Sequence, residues 1–399
     1  MPRRRPLTRI LLLQNAPVIG TLGGATKSNR LLLEAFAARR HSCCLLGPAR
    51  SPLDRSSKEW LTSQLTCQET PWDTVPSGCI RFASAGIEIH GISHRESIRD
   101  TLAQDIRDYR PSHVLVSSED PGQVFLEAAL NHANCPVVYL ARTVLALPFG
   151  PESGFPTARG RQLVRRVSAI ACVSQYVRDY VAKWAGVAAV ALPISLHAPG
   201  PYPDFGRRGS GYITLINPCA VKGIDIFLEL AQQLPNLHFA AVPTWGTTRD
   251  DHKRLLCEPN IAVLPPSEDV DQIYGKTFVL LAPALWAEAK PRVILEALLR
   301  GIPVIASDVG GQRESMLGLD YLLPVTPITS WTDQLSDRGI PIPVVPPQDL
   351  IPWVLALEEL VSSTERYCEL SRAARHASRA ALTPICVDPV ETFLEQLSG

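Results

Sequence analysis

Two glutamates, Glu288 and Glu296, have the residue type and spacing for ligand chemistry in this chain of 399 residues. Glu288 follows the apolar run 278–282, which is short and predicts a buried strand. Glu296 lies further on, in a segment whose apolar residues recur with helical spacing. Those residues are Val293, Ile294, Ala297 and Leu298. We therefore expect Glu288 in a loop above a strand, and Glu296 on the helix that follows.

The segment continues as a complete βαβ unit. Gly301 suits the end of the helix, and residues 302–306 predict a second buried strand. Ligands of open α/β sheets bind at the carboxyl ends of the strands, and helix N-termini favour phosphate. Two carboxylates beside such a helix fit a sugar joined to a diphosphate. Spacing alone is also compatible with a solvated pair of charges on a surface helix.

The sequence Ala-Glu-Ala-Lys-Pro-Arg-Val-Ile-Leu-Glu-Ala, followed by Gly-Ile-Pro-Val-Ile-Ala-Ser-Asp-Val-Gly-Gly, resembles the donor motif of the GT-B retaining glycosyltransferases of family 4. The resemblance implies an α/β fold of two doubly wound Rossmann-like domains that face each other across a cleft. It implies that Glu288 contacts sugar hydroxyls as a catalytic residue and that Glu296 holds the ribose hydroxyls. The remaining donor-binding residues of the motif are Ala289, Lys290, Pro291, Arg292 and Val293.

A second phosphate site is predicted at Lys222 and Gly223, between a strand at 212–216 and a helix at 224–233. By the resemblance, Lys222 is catalytic because it neutralises the leaving diphosphate. Asn217 stands where relatives carry an arginine, so we expect weaker leaving-group stabilisation unless Lys290, Arg292 or Arg142 substitutes.

In relatives, backbone groups near Pro265, after the strand 261–264, hold the base. Such contacts leave little side-chain signature, so the base is not determined, and a UDP-sugar is slightly favoured.

The N-terminal part also begins as a doubly wound domain, with strands at 10–15 and 41–46 around a helix. Gly23 and Gly24 let backbone approach a ligand closely, and the resemblance places the donor diphosphate there. Gly-x-Gly-x-x-Gly is absent, so the segment is not a dinucleotide fingerprint.

Polar residues follow two further N-terminal strands, at 114–117 and 136–140, and are candidates for the acceptor side. Glu119 and Asp120 fit either a crevice position or a helix cap. Arg142, next to Thr143, occupies the place where relatives often carry a histidine. It is expected either to contact an anionic group or to pair with Glu119 or Asp120.

These patterns predict an acceptor-binding domain at 1–195, a linker at 196–211 and a nucleotide-sugar domain at 212–385. A last helix within 386–399 is expected to cross back to the first domain. The strand 170–174 is expected to be the last of the first domain, with Ser174 capping the next helix. The polar stretch 51–76 is expected to be an insertion or flexible loop.

Composition excludes several functions. The 39 basic and 39 acidic residues cancel, so general nucleic-acid binding is not expected. No apolar run reaches membrane-spanning length, and the run 10–13 is too short for a signal peptide, so we expect a cytoplasmic protein with at most weak membrane association. The ten cysteines are scattered, without Cys-x-x-Cys, as in a reducing compartment. Asp250 and Asp251 are expected at the surface.

No metal is expected, because no cysteine or carboxylate completes a metal site near His90 and His94. The sequence thus predicts a retaining, metal-independent and cofactor-free transfer of sugar from a nucleotide-diphosphate sugar to a hydroxyl acceptor, a specialised metabolite or a saccharide. The alternatives are an epimerase or hydrolase on the same fold, or a non-catalytic sugar-nucleotide-binding partner. The oligomeric state is not determined.

Overall fold

The computed structural model describes residues 8–20, 23–50, 59–75, 78–93, 98–197, 200–206, 211–382 and 387–397. The chain divides into two compact units, one of Met1–Ala198 with Ile385–Gly399 and the other of Pro199–Pro384. We call them unit 1 and unit 2. Both are built from strands and helices, so the predicted α/β class is confirmed.

The elements are numbered along the chain. The strands are β1 (Arg9–Leu13), β2 (Ser42–Pro48), β3 (Trp72–Thr74), β4 (Cys79–Ser84), β5 (Ile87–Ile92), β6 (His113–Ser117), β7 (Val137–Ala141), β8 (Ala169–Cys172), β9 (Val190–Ala191), β10 (Tyr212–Ile216), β11 (Phe239–Val242), β12 (Ile261–Val263), β13 (Thr277–Ala282), β14 (Val304–Ser307), β15 (Leu322–Leu323), β16 (Trp331–Leu335) and β17 (Pro341–Pro343).

The helices are α1 (Gly24–Ala38), α2 (Trp60–Cys67), α3 (Ile98–Tyr109), α4 (Val124–His132), α5 (Ala158–Val164), α6 (Gln175–Ala185), α7 (Ile224–Gln233), α8 (Arg249–Cys257), α9 (Asp271–Tyr274), α10 (Arg292–Leu299), α11 (Gln312–Ser315), α12 (Ile351–Ser362), α13 (Thr364–Ala381) and α14 (Asp388–Leu397), with a 3-10 turn at Ala220–Lys222.

Unit 1 contains a nine-stranded sheet in the order β3-β4-β5-β2-β1-β6-β7-β8-β9. Strands β3, β4 and β5 pair antiparallel, and the remaining neighbours pair parallel. The central β1 places Leu11 between Cys44 and Val114, and residues 10–13 are fully buried. This burial explains why β1 is a continuous apolar run, since parallel sheets are covered on both faces.

The last helix, α14, belongs to unit 1 by its contacts. Arg39 pairs with Asp388, and Nη1 of the same arginine lies 2.8 Å from Glu391 Oε2. His113 Nε2 donates to the carbonyl oxygen of Leu394 at 2.9 Å. Among the residues that the structure describes, none of the helices has the length and apolar character needed to cross a bilayer.

Unit 2 is a six-stranded parallel sheet in the order β12-β11-β10-β13-β14-β15, with a small antiparallel pair, β16 and β17. The strand order reverses at β10, which lies between β11 and β13. Such a reversal opens a crevice at the carboxyl ends of the strands. The predicted βαβ unit is β13, α10 and β14, and its core includes Leu280, Ile294, Leu298 and Val304.

Three expectations from the sequence are wrong. The stretch 51–76 is not a flexible loop in its described part, which contains α2 and β3; the alternative of an insertion stays a prediction, and 51–58 and 76 lie outside the described residues. Strand β9 follows β8 and pairs with it, so the strand at 170–174 is not the last of unit 1. Asp251 is buried and not at the surface. Its carboxylate accepts from the Thr248 N–H at 2.9 Å in a capping box that begins α8.

The other predicted segments agree to within a few residues with the observed elements, and Ser174 caps α6 by accepting from Val177 N–H at 3.2 Å. Parts of two predicted segments lie outside the described residues. These are 198–199 and 207–210 of the predicted linker, and 386 and 398–399 of the predicted last segment.

Candidate functional site

The centre of the candidate site is an ion pair between Lys222 and Glu288. Lys222 Nζ donates to Glu288 Oε1, and the same oxygen accepts from Trp286 Nε1 at 2.5 Å. The ammonium also lies 5.6 Å from the centre of the Trp286 ring. Lys222 follows β10 and Glu288 follows β13, so neighbouring strands bring both residues to the carboxyl edge of the sheet. The structure thus joins the two residues that the sequence proposed as catalytic.

Glycines let the backbone on both sides pack closely against the loop that carries Glu288. Gly223 has a φ of 76°, and a Cβ there would overlap the carbonyl oxygen of Pro283. A Cβ on Gly310 would lie 2.7 Å from the Glu288 backbone nitrogen, and Gly311 N–H donates to the Glu288 carbonyl oxygen at 2.6 Å. At Gly223, Gly310 and Gly311 the backbone therefore approaches the loop of Glu288 too closely for a side chain, which only glycine permits.

Glu296 is buried, and its partners include Tyr274 and Arg292. Its Oε2 accepts from the hydroxyl of Tyr274 at 3.1 Å, and its Oε1 lies 3.3 Å from Arg292 Nη2. Tyr274 also donates to the carbonyl oxygen of Val293 at 3.2 Å. Burial raises the pKa of Tyr274 well above its ordinary value, so the hydroxyl keeps its proton and remains a donor. Tyr274 is a site residue that the sequence analysis missed.

Asn217 has a structural role at this edge. Its φ of 64° is left-handed, a conformation that asparagine tolerates better than arginine. Its Oδ1 accepts from Gly246 N–H at 2.8 Å and ties the end of β10 to the loop after β11. Its Nδ2 is buried and has no hydrogen-bond partner among the described residues. The same loop carries Trp245, whose ring centre lies 6.3 Å from that of Trp286.

The remaining residues predicted to bind the nucleotide sugar have fewer or longer contacts. Lys290 Nζ lies 3.8 Å from Glu314 Oε1, and about a third of the Lys290 side chain is exposed. Pro291 precedes α10 in an extended conformation, and Ala289 is buried below Gly311. Pro265 lies exposed after β12, the edge strand of the sheet.

In unit 1, the two carboxylates after β6 are bound by nearby groups. Glu119 Oε2 accepts from Ser117 Oγ at 2.5 Å, and burial raises the pKa of Glu119. Asp120 Oδ2 accepts from Phe125 N–H at 2.7 Å, and its Oδ1 accepts from Asn15 Nδ2 at 3.3 Å. Burial raises the pKa of Asp120 to about 6, against these hydrogen bonds. Asp120 thus accepts from the first turn of α4, as a helix-capping role requires, and its crevice role stays a prediction.

Arg142 is buried and braces the chain after β9. Its Nη1 donates to the carbonyl oxygen of Ile194 at 2.9 Å. Its backbone N–H and that of Thr143 both donate to Ser118 Oγ, at 2.9 and 3.3 Å. Its positive charge also acts on Glu119, lowering the pKa of that carboxyl against the effect of burial. Both an anchoring role and an electrostatic influence on Glu119 are therefore present.

Two further sequence expectations concern unit 1. Gly23 is extended and directly precedes α1, which starts at Gly24, while residues 21–22 before it lie outside the described part. We expected no cysteine or carboxylate to complete a metal site near His90, but Cys79 and Asp105, which are distant in sequence, lie beside it in a group that could hold a metal ion. His94 lies outside the described residues.

Comparison with known proteins gives matches to two family models. The model described as Glycosyltransferase Family 4 matches residues 22–193, and the model described as Glycosyl transferases group 1 matches residues 210–336. A Klebsiella pneumoniae protein described as an uncharacterized 42.6 kDa protein in the cps region is 29% identical over 124 residues. That match spans 31% of this chain and 31% of the Klebsiella protein.

Several solved structures share the fold over nearly the whole chain. Anabaena HepE in complex with UDP and glucose has a TM-score of 0.60 at 16% identity, covering 98% of this chain and 99% of HepE. Sucrose-phosphate synthase from Thermosynechococcus elongatus has a TM-score of 0.65 at 15% identity, covering 98% of both chains. A mutant of S. aureus TarM has a TM-score of 0.66 at 9% identity, covering 98% of this chain and all of that one.

These structures show the fold, and the two family models together span most of both units. Glu288 and Glu296 also lie within the region that the group 1 model matches. The chain therefore belongs to the GT-B glycosyltransferases of family 4, the glycosyl transferases group 1.

Proposed function

We propose that the protein transfers a sugar from a nucleotide-diphosphate sugar to a hydroxyl group of an acceptor, with retention of anomeric configuration. The observation that carries the proposal is the ion pair of Lys222 with Glu288 at the carboxyl edge of the unit 2 sheet. It joins a cation suited to phosphate and a carboxylate suited to sugar hydroxyls.

The ion pair suggests how donor binding prepares the site. A bound diphosphate attracts the Lys222 ammonium, which weakens its bond to Glu288 Oε1. Glu288 then accepts from a sugar hydroxyl, while Trp286 Nε1 keeps the carboxylate oriented. As the bond between sugar and phosphate breaks, charge grows on the diphosphate, and the fixed ammonium stabilises it. We therefore assign leaving-group stabilisation to Lys222 and sugar orientation to Glu288.

Glu296 is assigned to the ribose hydroxyls of the nucleotide. Tyr274 and Arg292 hold its carboxylate from two directions, so the acceptor oxygens are positioned before the ligand arrives. Such preorganisation favours binding, because little side-chain freedom remains to be lost. The buried Nδ2 of Asn217 can donate a further hydrogen bond at this edge of the sheet. We assign this hydrogen bond to an oxygen atom of the nucleotide sugar.

The structural neighbours support a UDP-sugar as the donor. HepE was solved with UDP and glucose, and the TarM mutant with fondaparinux, α-GlcNAc-glycerol and UDP. The TarM ligands also favour a saccharide or glycosylated polyol as the acceptor. Gly23 and Gly24 are assigned to the donor diphosphate, and Glu119, Asp120, Arg142 and Thr143 to the neighbourhood of the acceptor.

The proposal is tested by matching donor, product and stereochemistry. Thermal shift with UDP-, GDP- and ADP-sugars selects the donor, and mass spectrometry then detects transfer to a panel of saccharides and glycosylated polyols. We expect a UDP-sugar to stabilise the protein and the product to keep the donor's anomeric configuration by NMR. Glu288→Gln, which keeps the shape of the side chain, should abolish most transfer. An inverted product would refute retention, and turnover of donor without acceptor would indicate an epimerase or hydrolase.

One observation favours a second candidate, a non-catalytic sugar-nucleotide-binding partner. The Asn217 side chain is neutral and already bonded to Gly246 N–H, so the position supplies no second cation for the leaving group. A partner protein of this kind would bind the nucleotide sugar with normal affinity and show no transfer with any acceptor. Detection of a transfer product that depends on Lys222 would exclude it.

A further inference from the structure

A buried cluster in unit 1 brings together three side chains of metal-ligand type. Cys79 lies on β4, His90 on β5 and Asp105 on α3. One ligand atom from each lies within 4.8 Å of the other two, and the residues are 0%, 2% and 1% exposed. Neither the candidate site in unit 2 nor the acceptor-side residues include them.

The sheet register explains the convergence. Arg81 on β4 is paired with His90 on β5, and Cys44 on β2 is paired with Glu88 on β5. Side chains alternate along a strand, so Cys44, Cys79, Glu88 and His90 all lie on one face. Helix α3 covers this face and inserts Asp105 against Cys79 and His90.

We infer that Cys79, His90 and Asp105 form a site for a thiophilic divalent cation of the zinc class. Zinc in proteins takes thiolate, imidazole and carboxylate ligands in tetrahedral geometry. At bond lengths of about 2.0 Å for nitrogen and oxygen and about 2.3 Å for sulfur, tetrahedral edges are roughly 3.3 Å for N–O and 3.5 Å for S–O. The structure has His90 Nδ1 at 2.9 Å and Cys79 Sγ at 3.7 Å from Asp105 Oδ2. These two distances differ from the tetrahedral edges by a few tenths of an ångström, and the ligand atoms of all three residues lie within 4.8 Å of one another.

The groups around these ligands are those of a metal site. A metal-bound histidine usually donates its other ring N–H to a carboxylate, and His90 Nε2 lies 2.7 Å from Glu88 Oε1. The second oxygen of Asp105 accepts from Arg81 Nη2 at 3.1 Å, which fixes the carboxylate. Cys44 is fully buried beside His90 on the same face, and it is the candidate fourth ligand.

Charge and access also fit a divalent ion. Both ring nitrogens of His90 face carboxylates, those of Asp105 and Glu88. A divalent cation would bind Cys79 as a thiolate, so two carboxylates and a thiolate would balance its charge. The Glu88 side chain is about half exposed, which gives the ion a route from solvent.

The test uses the untagged full chain and readouts other than activity. Elemental analysis of protein purified without added metal should find about one equivalent of zinc. After chelation, titration with Co²⁺ should give visible d–d bands and a thiolate charge-transfer band that saturate at about one equivalent, and Zn²⁺ should abolish both. Less than about a tenth of an equivalent of metal in both experiments would overturn the inference and leave a proton-bridged cluster.

Variants separate this cluster from the other thiols. Cys79→Ser should remove the charge-transfer band, and Glu88→Gln, at a half-exposed position, should weaken Co²⁺ binding about 10-fold without unfolding the protein. Cys43→Ser, the neighbouring thiol on the opposite face of β2, should leave the spectrum unchanged. A spectrum that survives Cys79→Ser, or that is lost when the exposed Cys67, Cys257 and Cys368 are replaced by serine, would refute the site.

Discussion

Both units place carboxylates just after parallel strands, but the groups that bind them differ. In unit 2, Glu288 pairs with Lys222, a side chain from a neighbouring strand end, and Trp286 orients it. In unit 1, Asp120 accepts from the backbone of the helix that follows it, α4, and from Asn15. Burial also raises the pKa of Asp120.

The difference teaches that a strand end does not by itself define a ligand site. A carboxyl group that accepts from backbone N–H groups has a role in the fold, and its bonds are complete without a ligand. An ion pair between two side chains from different loops can exchange partners when an anion and a hydroxyl arrive. We therefore expect substitutions in unit 2 to change turnover and the matching substitution in unit 1 to change stability.

The largest effect is expected for Lys222→Met. The variant removes the ammonium and keeps the apolar stem, so kcat should fall by about 10²–10³, as when one stabilising donor is lost. Initial rates at saturating donor measure it, with Lys253→Met on the exposed face of α8 as the control. A loss below about tenfold would show that Lys222 does not stabilise the leaving group.

Asp120→Asn tests the contrasting region through stability. Burial raises the pKa of Asp120 from 3.8 to about 6, so the folded state binds the proton more tightly than the unfolded state. The contribution of Asp120 to the free energy of unfolding is present below pH 4 and is lost as the pH rises through 6. The loss amounts to about 3 kcal/mol at most.

Urea unfolding at pH 4, 5, 6 and 7 should therefore show a smaller decline with pH for Asp120→Asn than for the wild type. Asp73→Asn, at an exposed position on β3, is the control and should follow the wild type. Parallel pH curves for the wild type and Asp120→Asn would contradict the buried, partly protonated carboxyl.

Glu296→Gln is expected to weaken nucleotide binding. Glutamine can still accept from Tyr274 but loses the charge that pairs with Arg292 and binds ribose hydroxyls. The Kd for UDP, measured by calorimetry, should rise about 10-fold, or about 1.4 kcal/mol. Glu268→Gln is the exposed control. An unchanged Kd would place the ribose elsewhere.

The smallest effect is expected for Lys290→Ala. If Lys290 supplies charge that Asn217 lacks, the KM for donor should rise about 3-fold with little change in kcat, because exposed pairs contribute below about 1 kcal/mol. Steady-state kinetics with the donor varied measures it. Unchanged KM and kcat would show that the charge has not moved to this loop.

The sequence predicted elements best where burial and periodicity are strong. Helix α7 at Ile224–Gln233 and strand β10 at Tyr212–Ile216 have the predicted bounds, because one shows a helical apolar face and the other a buried apolar run. Helix α2 and strand β3 were missed because their stretch is polar and without a clear period.

Contacts between distant residues could not be predicted from a single sequence. Tyr274 reaches Glu296 across the unit 2 core, and Trp245 reaches Trp286 because β11 and β13 flank β10. Asp105 meets His90 only because α3 covers one face of β5. Each of these contacts depends on the order of the strands in the sheet and on where the helices pack. Residue types and their spacing in one segment do not predict either.

The membership of α14 in unit 1 has a consequence for how the protein is made. Strands β1, β2 and β6 leave the ribosome early, but Asp388–Leu397 follow only after the whole of unit 2 has been synthesised. Domains generally fold as they emerge, N-terminal first. Unit 1 must therefore wait through the translation of unit 2 with the surface around Arg39, His41 and His113 uncovered.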